Sequence, residues 1–308
     1  MTSTAAAPQH RGAGLPSREV VVAGRYELKE RLGRGSLAEV FRAADLEGGP
    51  DVAVKVAVGD SEQHFERIRN EAAVLAGMNH PSIIRFISRS IIPAATPLAG
   101  RPFLVEELAL GASLAAATRT GLPRPGDVAG WARGLFGALA HLHGQGLVHR
   151  DIKPANLMLS GLRRSPVRII DFGIAVAAGA APEPGISSGT VHYMSPEQAS
   201  GGPAQASWDV YAMGLVLLEL LTGARAFPGT AIESLVARTL RSPEIPESLG
   251  PGWCTFLSAL TAMDSAARPT ADEAAVMAGR LVPPAAQQTN SACRRMAVFP
   301  ARRIRQLV

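Results

Sequence analysis

The stretch that decides the fold of this chain is His149-Arg-Asp-Ile-Lys-Pro-Ala-Asn156, followed a short way downstream by Asp171-Phe-Gly173. The first stretch comes after a predicted helix, in which apolar residues recur every three or four positions from Trp131 to Leu142. The second comes after a predicted strand that ends at Ile170. Two predicted loops are therefore rich in charged and amide side chains. Which function these side chains indicate depends on the other motifs in the chain.

Upstream, from Tyr26 to about Glu106, the pattern predicts β-strands interrupted by one helix over about Gln63 to Met78. Glu71 falls on the apolar stripe of this helix, where a carboxylate is costly unless it is paired. Lys55 ends the strand-like run Val-Ala-Val-Lys and is the natural partner. The alternative is that Lys55 is simply exposed and that Glu71 does not lie on the apolar face of the helix. Each explanation is reasonable for one residue alone, but the two together are a poor explanation of both.

A glycine-rich segment, Gly33-Arg-Gly-Ser-Leu-Ala-Glu-Val40, lies between two strand-like runs. Glycines at such a turn let backbone N–H groups approach an anion closely, as in a cover over phosphates. Glycine-rich hairpins are common, so this segment is informative only together with the other motifs.

In this order the motifs resemble a eukaryotic-type serine/threonine protein kinase, of the Hanks type that bacteria also carry, from about Tyr26 to Val282. The resemblance implies an α+β, bilobal protein-kinase fold. A small β-rich N-lobe with one key helix would span about 25 to 106, and a larger helical C-lobe would span about 111 to 282. Residues 1 to 24 would form a disordered leader and 283 to 308 a basic, disordered tail.

The resemblance also implies a catalytic set. Its members are Lys55, Glu71, Asp151, Lys153, Asn156, Asp171 and Thr190. Asp151 would accept or orient the proton of the substrate hydroxyl, Lys153 would neutralise the transferring phosphoryl group, and Thr190 would contact both residues.

The same resemblance places Mg·ATP between the lobes. Lys55, locked by Glu71, would grip the α- and β-phosphates, while Asn156 and Asp171 would hold Mg²⁺, with Mn²⁺ as an alternative. The implied nucleotide-binding residues are Gly33, Gly35, Ser36, Val40, Ala53, Lys55, Glu107, Ala109 and Met158. Ordinary core packing explains several of these positions equally well.

Lysine usage supports the resemblance independently. The chain has three lysines among 31 basic residues, and two of them, Lys55 and Lys153, occupy the positions where the family uses a compact ammonium group. The lysine after His-Arg-Asp also resembles Ser/Thr kinases rather than tyrosine kinases. Protein substrates with Ser or Thr acceptors are therefore expected.

The segment from Gly189 to Glu197 resembles the substrate-side end of an activation segment, with Ser195 in place of the usual alanine. In this family the cation of Arg150 is commonly neutralised by a phosphate on that segment. We therefore predict autophosphorylation at Ser187 and Ser188. A dimer would allow one copy of the chain to phosphorylate the other. A merely flexible serine-rich loop is the alternative.

Three further residues are expected to serve as scaffold. The resemblance implies that Glu197 pairs with Arg268 and that Asp209 braces the backbone of the catalytic loop. Asp209 opens the run Val210 to Leu221, which is apolar on every face and predicts a buried central helix.

Two residues depart from the family pattern. Ala38 replaces the third glycine of the phosphate loop, a position that needs close packing more than positive φ. Glu106 falls at the back of the adenine pocket, where an apolar residue is usual, and it would either compete with Glu71 for Lys55 or face away. We expect Glu106→Met to leave ATP use intact.

The alternatives come from two other classes of protein. Ala38 and Glu106 are the only support for a pseudokinase scaffold that binds nucleotide or a partner without turnover. A small-molecule phosphotransferase would share the cleft, but the segment from Gly189 to Glu197 is typical of kinases that present a peptide hydroxyl.

Composition and charge exclude other classes. The net charge of +5 comes from the two ends of the chain, and without their seven basic and one acidic residues it is −1, which does not favour nucleic-acid binding. Two distant cysteines argue against a disulfide scaffold or a zinc site. With no apparent signal peptide or transmembrane segment, we expect a cytoplasmic protein.

The tail from 283 to 308 holds five arginines and no acid, which is typical of a solvated extension. Two sharper readings stay open. It could bind an anionic membrane or an acidic partner, or its run Arg294-Arg-Met-Ala-Val298 could occupy the substrate groove as a pseudosubstrate.

Overall fold

A computed structural model describes residues 20–35, 37–59, 61–93, 98–162, 165–181 and 191–283. The N-terminal part is an antiparallel six-stranded sheet with the strand order β1-β2-β3-β4-β6-β5. Its strands are β1 (Val21–Val22), β2 (Tyr26–Arg34), β3 (Ala38–Asp45), β4 (Val52–Ala57), β5 (Phe86–Ile91) and β6 (Pro102–Glu107). Helix α1 (Glu62–Ala76) packs against β4, β5 and β6.

The two faces of this sheet differ in chemistry. Phe41, Val54 and Val105 belong to an apolar cluster on one face. On strand β4, Ala53 and Lys55 alternate with Val54 and therefore lie on the other face. Ala53 pairs directly with Glu106 of β6, which places the Glu106 side chain on the same face as Lys55.

The C-terminal part is helical, with two short two-stranded sheets. Its helices are α2 (Leu114–Ala117), α3 (Pro125–His143), α4 (Pro196–Ala199), α5 (Ala206–Thr222), α6 (Ala231–Leu240), α7 (Pro251–Leu260) and α8 (Ala271–Leu281). Its strands are β7 (Leu147–Val148), β8 (Leu157–Leu162), β9 (Ser165–Ile169) and β10 (Val176–Ala177). Strand β7 pairs with β10, and β8 pairs with β9.

Helix α5 is the centre of this lobe. Residues 208 to 218 are all buried, as the apolar run predicted, and the helix ends at Gly223, whose φ of 76° is in the left-handed region that glycine adopts without strain. Helices α3, α7 and α8 pack around it.

Between the lobes, a side chain at Gly111 would collide with the backbone oxygen of Leu159, so only glycine lets the linking segment lie this close to β8.

The sequence prediction differs from the structure at two boundaries. The leader was predicted to reach residue 24, but Val20 and Val22 are buried and β1 pairs with β2, because this apolar run completes the sheet. Helix α1 ends at Ala76 rather than Met78, since Gly77 closes the last turn with bonds to the carbonyls of Val74 and Leu75. Among the described residues, no helix has the length and apolar character needed to cross a bilayer.

The ion pair between Glu197 and Arg268 ties helix α4 to the segment before α8. Arg268 Nη2 lies 2.6 Å from Glu197 Oε1, and its Nη1 lies 3.0 Å from Oε2. The Arg268 guanidinium also lies 4.7 Å from the ring centroid of Tyr211 and its side chain is fully buried. Losing the carboxylate would therefore leave a buried cation without its counter-charge.

We expect Glu197→Gln to lower the free energy of unfolding by about 3 kcal/mol, and the Tm by roughly 6–12 °C, because breaking a buried pair leaves an uncompensated charge. The matched control is Glu244→Gln, which removes the exposed partner of Arg241 and should change stability by less than about 0.5 kcal/mol. Thermal unfolding of both variants checks this. Equal shifts would show that the buried pair adds no stability.

Candidate active site

Lys55 lies at the centre of a charged cluster between the lobes. Its Nζ is 2.7 Å from Glu71 Oε2 and 2.8 Å from Asp171 Oδ1. The backbone N–H of Phe172 donates to Glu71 Oε1 at 3.2 Å, so helix α1 is connected to the Asp171-Phe-Gly173 stretch as well as to strand β4. One ammonium group thus holds together a strand, a helix and a loop that are distant in the sequence.

The charges of this cluster stabilise one another. Burial lowers the pKa of Lys55, but the carboxylates of Asp171 and Glu71 outweigh burial and raise it above its ordinary value. Partial burial raises the pKa of Asp171, yet the Lys55 ammonium overrides that effect and holds the pKa at about 2. Lys55 and Asp171 are therefore both charged at neutral pH.

The loop from His149 to Asn156 holds a second polar group. Lys153 Nζ lies 2.8 Å from Asp151 Oδ2. The amide nitrogen of Asn156 donates to the same Oδ2 and to the backbone oxygen of Asp151, both at 3.0 Å. The carboxylate of Asp151 is thereby fixed in orientation by two side chains from its own loop.

Asp209 of helix α5 holds this loop from behind. It accepts hydrogen bonds at 2.8 Å from the backbone N–H groups of both His149 and Arg150. These bonds stabilise a left-handed backbone at Arg150, with φ of 67°; Asp171, with φ of 63°, has the same unusual conformation. A strained backbone conformation of this kind persists only where several surrounding contacts hold it in place. Such conformations are common at functional sites.

His141 and His143 are engaged in structural contacts. His143 Nε2 lies 2.9 Å from Asp209 Oδ2, and His141 Nε2 accepts from the backbone N–H of Asn79 at 3.2 Å. Burial raises the pKa of Asp209, but His143 and the backbone donors outweigh burial and lower it. His143 thus supports the loop from His149 through Asp209, whereas His141 contacts the segment that follows helix α1.

A family model described as "Protein kinase domain" matches residues 26–277. The chain belongs to the protein kinase family. The family and the α+β, bilobal fold predicted from the sequence are confirmed.

Several curated bacterial protein kinases are similar to this chain. The serine/threonine-protein kinase PknB of Mycobacterium leprae is 38% identical over 231 residues, which are 73% of this chain and 36% of that protein. PknB of Mycobacterium tuberculosis is 38% identical over 232 residues, with the same shares. A probable serine/threonine-protein kinase of Streptomyces coelicolor is 36% identical over 237 residues, or 74% and 35% of the two chains. The match thus spans about a third of the length of these relatives.

The segment predicted to cover the phosphates is the turn between β2 and β3. The N–H of Gly35 bonds to the carbonyl oxygen of Ala38 at 2.8 Å, and a Cβ added at Gly33 would meet no atom within 4 Å. Ala38 is buried in β3 and its methyl group packs in the main apolar core. Ser36 lies outside the described residues.

The residues expected around the adenine come from both lobes. Val40 lies opposite Lys55 in the sheet and Ala53 two residues before it, while Met158 comes from β8 of the C-lobe. Ala109 packs against the main core. The carboxylate of Glu107 forms an ion pair with Arg168 and accepts from the backbone N–H of Arg85 at 3.3 Å, so its side chain is used to fix the linking segment.

The structure brings together six of the seven predicted catalytic residues in two adjoining clusters, Lys55–Glu71–Asp171 and Asp151–Lys153–Asn156. Thr190, Ser187 and Ser188 lie outside the described residues. Nothing in the geometry of the described clusters favours the pseudokinase alternative, whose two supports were Ala38 and Glu106.

Glu106 faces the Lys55 cluster, so the alternative in which it points away is wrong. Only 9% of the residue is exposed, and its Oε2 has no hydrogen-bond partner among the described residues. Burial, reinforced by the negative charges of Glu71 and Asp171, raises the pKa of Glu106 to about 8, although Lys55 acts in the opposite direction. Glu106 is therefore protonated at neutral pH.

This raised pKa predicts a pH-dependent stability. Because the folded-state pKa of Glu106 is about 8 and the ordinary value is 4.5, the folded state retains a proton that the unfolded state releases between those pH values. Stability must fall as the pH rises through that window. We expect Glu106→Gln, which cannot titrate, to gain roughly 5 °C or more in Tm relative to wild type between pH 5 and pH 8.

Thermal unfolding at the two pH values measures this gain. The Glu244→Gln control removes an exposed carboxylate and reports the background effect of the substitution. A Tm difference between Glu106→Gln and wild type that is the same at pH 5 and pH 8 would show that Glu106 is ionised in the folded protein.

One supporting residue was not predicted from the sequence. Arg238 of helix α6 is fully buried, and its Nη1 donates to the backbone oxygen of Met194 at 2.7 Å while its Nη2 donates to Ser234 Oγ at 2.6 Å. Burial lowers the pKa of Arg238 to about 10, which leaves it charged. It ties α6 to the segment that follows Thr190. In the sequence, only an arginine four residues after a serine signals it.

Proposed function

We propose that this chain is a serine/threonine protein kinase that transfers the γ-phosphoryl group of ATP to Ser or Thr hydroxyls of proteins. The observation that carries the proposal is the joint placement of Lys55 between Glu71 and Asp171, beside an Asp151 carboxylate held by Lys153 and Asn156. The names of the relatives support Ser and Thr as the acceptors.

The donor atoms fit a divalent cation and the phosphates of ATP. Because the Asn156 amide nitrogen donates to Asp151, its carbonyl oxygen is left for a cation, and Asp171 supplies a charged carboxylate. Carboxylate and amide oxygens are ligands that Mg²⁺ prefers, and Mn²⁺ shares the preference. When bound, the cation would neutralise negative charge on the phosphates.

The residues of the chain supply positioning and charge. Lys55, fixed by Glu71, would hold the phosphates of ATP in one place, and the open turn at Gly33 and Gly35 leaves room for them. Asp151 would orient the substrate hydroxyl and accept its proton, while the ammonium of Lys153 stabilises the negative charge that develops during transfer. These groups are already in place, so little reorganisation is needed.

Intact-mass spectrometry of phosphatase-treated protein after incubation with Mg·ATP tests the proposal. Stepwise gains of one phosphate mass in the wild type, absent in Asp151→Asn and Lys55→Met, would support it. A metabolite mixture as the only acceptor separates a small-molecule phosphotransferase from a protein kinase. Absence of any phosphate gain, on the chain itself and on an added protein acceptor, would contradict kinase activity of this chain.

Several finer proposals follow from the kinase function. Autophosphorylation at Ser187 and Ser188, through a dimer, predicts that phosphopeptide mapping of the active protein finds phosphate at one or both residues. A cytoplasmic location is a further proposal, which the two distant cysteines support because they suit a reducing compartment. Unmodified Ser187 and Ser188 in fully active protein would exclude this mode of activation.

The basic tail, which lies outside the described residues, stays a proposal with three readings: a solvated extension, a contact with an anionic or acidic partner, and a pseudosubstrate. Deleting residues 291 to 308 raises activity if the tail occupies the substrate groove. An unchanged rate excludes the pseudosubstrate reading.

A further inference from the structure

Glu106 is a buried carboxyl group for which the kinase mechanism has no use. Its Oε2 is buried without a hydrogen-bond partner among the described residues. Placing such a group in a protein interior costs stability unless something completes its hydrogen bonds. Because the register of β4 and β6 directs Glu106 to the face that carries Ala53 and Lys55, its carboxyl group borders the cleft.

The hydrogen bonds around Lys55 indicate which carboxyl group carries a proton. The charged groups that face Glu106 are Lys55 of β4, Glu71 of α1 and Asp171. Glu71 accepts from Lys55 and Phe172, and Asp171 accepts from Lys55 and the backbone N–H of Gly173. Three carboxylates around one ammonium would leave excess negative charge. Glu71 and Asp171 each accept from Lys55 and from a backbone N–H, whereas the buried Oε2 of Glu106 has no donor among the described residues. Glu106 is therefore the neutral one.

The position of Glu106 relative to a nucleotide follows from the proposed function, on which this inference rests. Lys55 would bind phosphates, and the backbone of residues 107 to 109, which directly follows Glu106, would bind the edge of the base. Ala53, the strand partner of Glu106, lies two residues from Lys55 towards that segment. Glu106 therefore adjoins the base and not the phosphates.

We propose that Glu106 is a specificity-determining residue of the nucleotide pocket, whose neutral carboxyl group hydrogen-bonds to the substituent at the 6-position of the purine. A neutral carboxyl group has both an acceptor and a donor. It accepts from the 6-amino group of adenine and donates to the 6-oxo group of hypoxanthine. An apolar side chain can do neither, so this pocket tolerates 6-oxopurines better than a pocket with an apolar back wall.

The test compares the binding of ADP and inosine diphosphate by titration calorimetry in the presence of Mg²⁺. The two nucleotides differ at the 6-position and at N1, which carries a proton in hypoxanthine and none in adenine, and the difference at N1 is the same for every variant. In Glu106→Met the affinity for inosine diphosphate should fall roughly tenfold, because its 6-oxo group loses a donor. The affinity for ADP should stay within about threefold, because the backbone of the linking segment still binds the 6-amino group. The ratio of the two affinities widens accordingly.

Glu106→Gln is the matched variant, because its amide also offers one donor group and one acceptor in nearly the same shape. It should keep the wild-type ratio of the two affinities, while the Tm of each variant without nucleotide reports whether the fold is intact. An unchanged ratio in Glu106→Met, or a widened ratio in Glu106→Gln, overturns the inference. If the wild type bound neither nucleotide and phosphorylated nothing, the proposed function itself would fail.

Discussion

Replacing Asp151 with asparagine should lower kcat by a factor of about 10² to 10⁴, the range attributed to a positioned general base. The amide cannot accept a proton from the substrate hydroxyl. Its carbonyl oxygen can still accept from Lys153 and Asn156, which now bond to Asp151 Oδ2 at 2.8 and 3.0 Å, so the loop should keep its shape. The affinity for ADP should change by less than about threefold, since the proposed role of Asp151 is towards the acceptor hydroxyl and ADP lacks the transferred phosphoryl group.

Steady-state kinetics on a protein acceptor and titration with ADP measure these two quantities. Asp127→Asn is the matched control. It removes the same charge from an exposed ion pair with Arg124 at the start of helix α3, and neither residue belongs to the two charged clusters. If kcat of Asp151→Asn stayed within tenfold of wild type, proton acceptance by Asp151 would not limit the reaction.

The catalytic residues could be predicted from the sequence because their chemistry restricts the residue types. A chain with three lysines that places one after Val-Ala-Val and another after His-Arg-Asp marks both positions. Glu71 was predictable because a carboxylate on an apolar stripe needs a partner. In each case the sequence signal was local, because a charged residue stood at a position where the neighbouring residues do not lead one to expect it.

The orientation of Glu106 could not be predicted in this way. Two directions were open, and the choice depends on the pairing of Ala53 with Glu106 across β4 and β6. A shift of one residue in that register would turn the side chain to the opposite face. Register is fixed by the packing of the whole sheet, which a single strand sequence does not contain.

Arg238 and Ser195 illustrate a second limit. Both are buried, and each makes its decisive bond to backbone: Arg238 to the oxygen of Met194, and Ser195, through its hydroxyl, to the N–H of Gln198 at the start of α4. Ser195 was noticed as a departure from the family pattern, but its capping role was not predicted. A backbone partner has no residue identity, so the sequence shows at most one side of each of these bonds.

Replacing Lys55 with methionine should have the other large effect, a fall in kcat/KM of about 10² to 10³, as found when one preorganised donor to the reacting group is removed. The substitution also removes the ammonium that holds Asp171 at a pKa of about 2 and pairs with buried Glu71. Both carboxylates would then repel each other and the phosphates of ATP, and the affinity for ADP should fall as well.

The lysines of the chain provide the control. Lys29→Met removes an ammonium from a half-exposed pair with Glu27 on β2 and should leave kinetics unchanged. Lys55→Arg keeps the charge, but a planar guanidinium cannot replace a compact ammonium that lies 2.7 Å from Glu71 and 2.8 Å from Asp171, so it should still lose more than about tenfold in kcat/KM. Full activity in Lys55→Arg would show that the charge at this position suffices and that its geometry does not matter. ADP affinity within threefold of wild type in Lys55→Met would show that the cluster does not bind the phosphates.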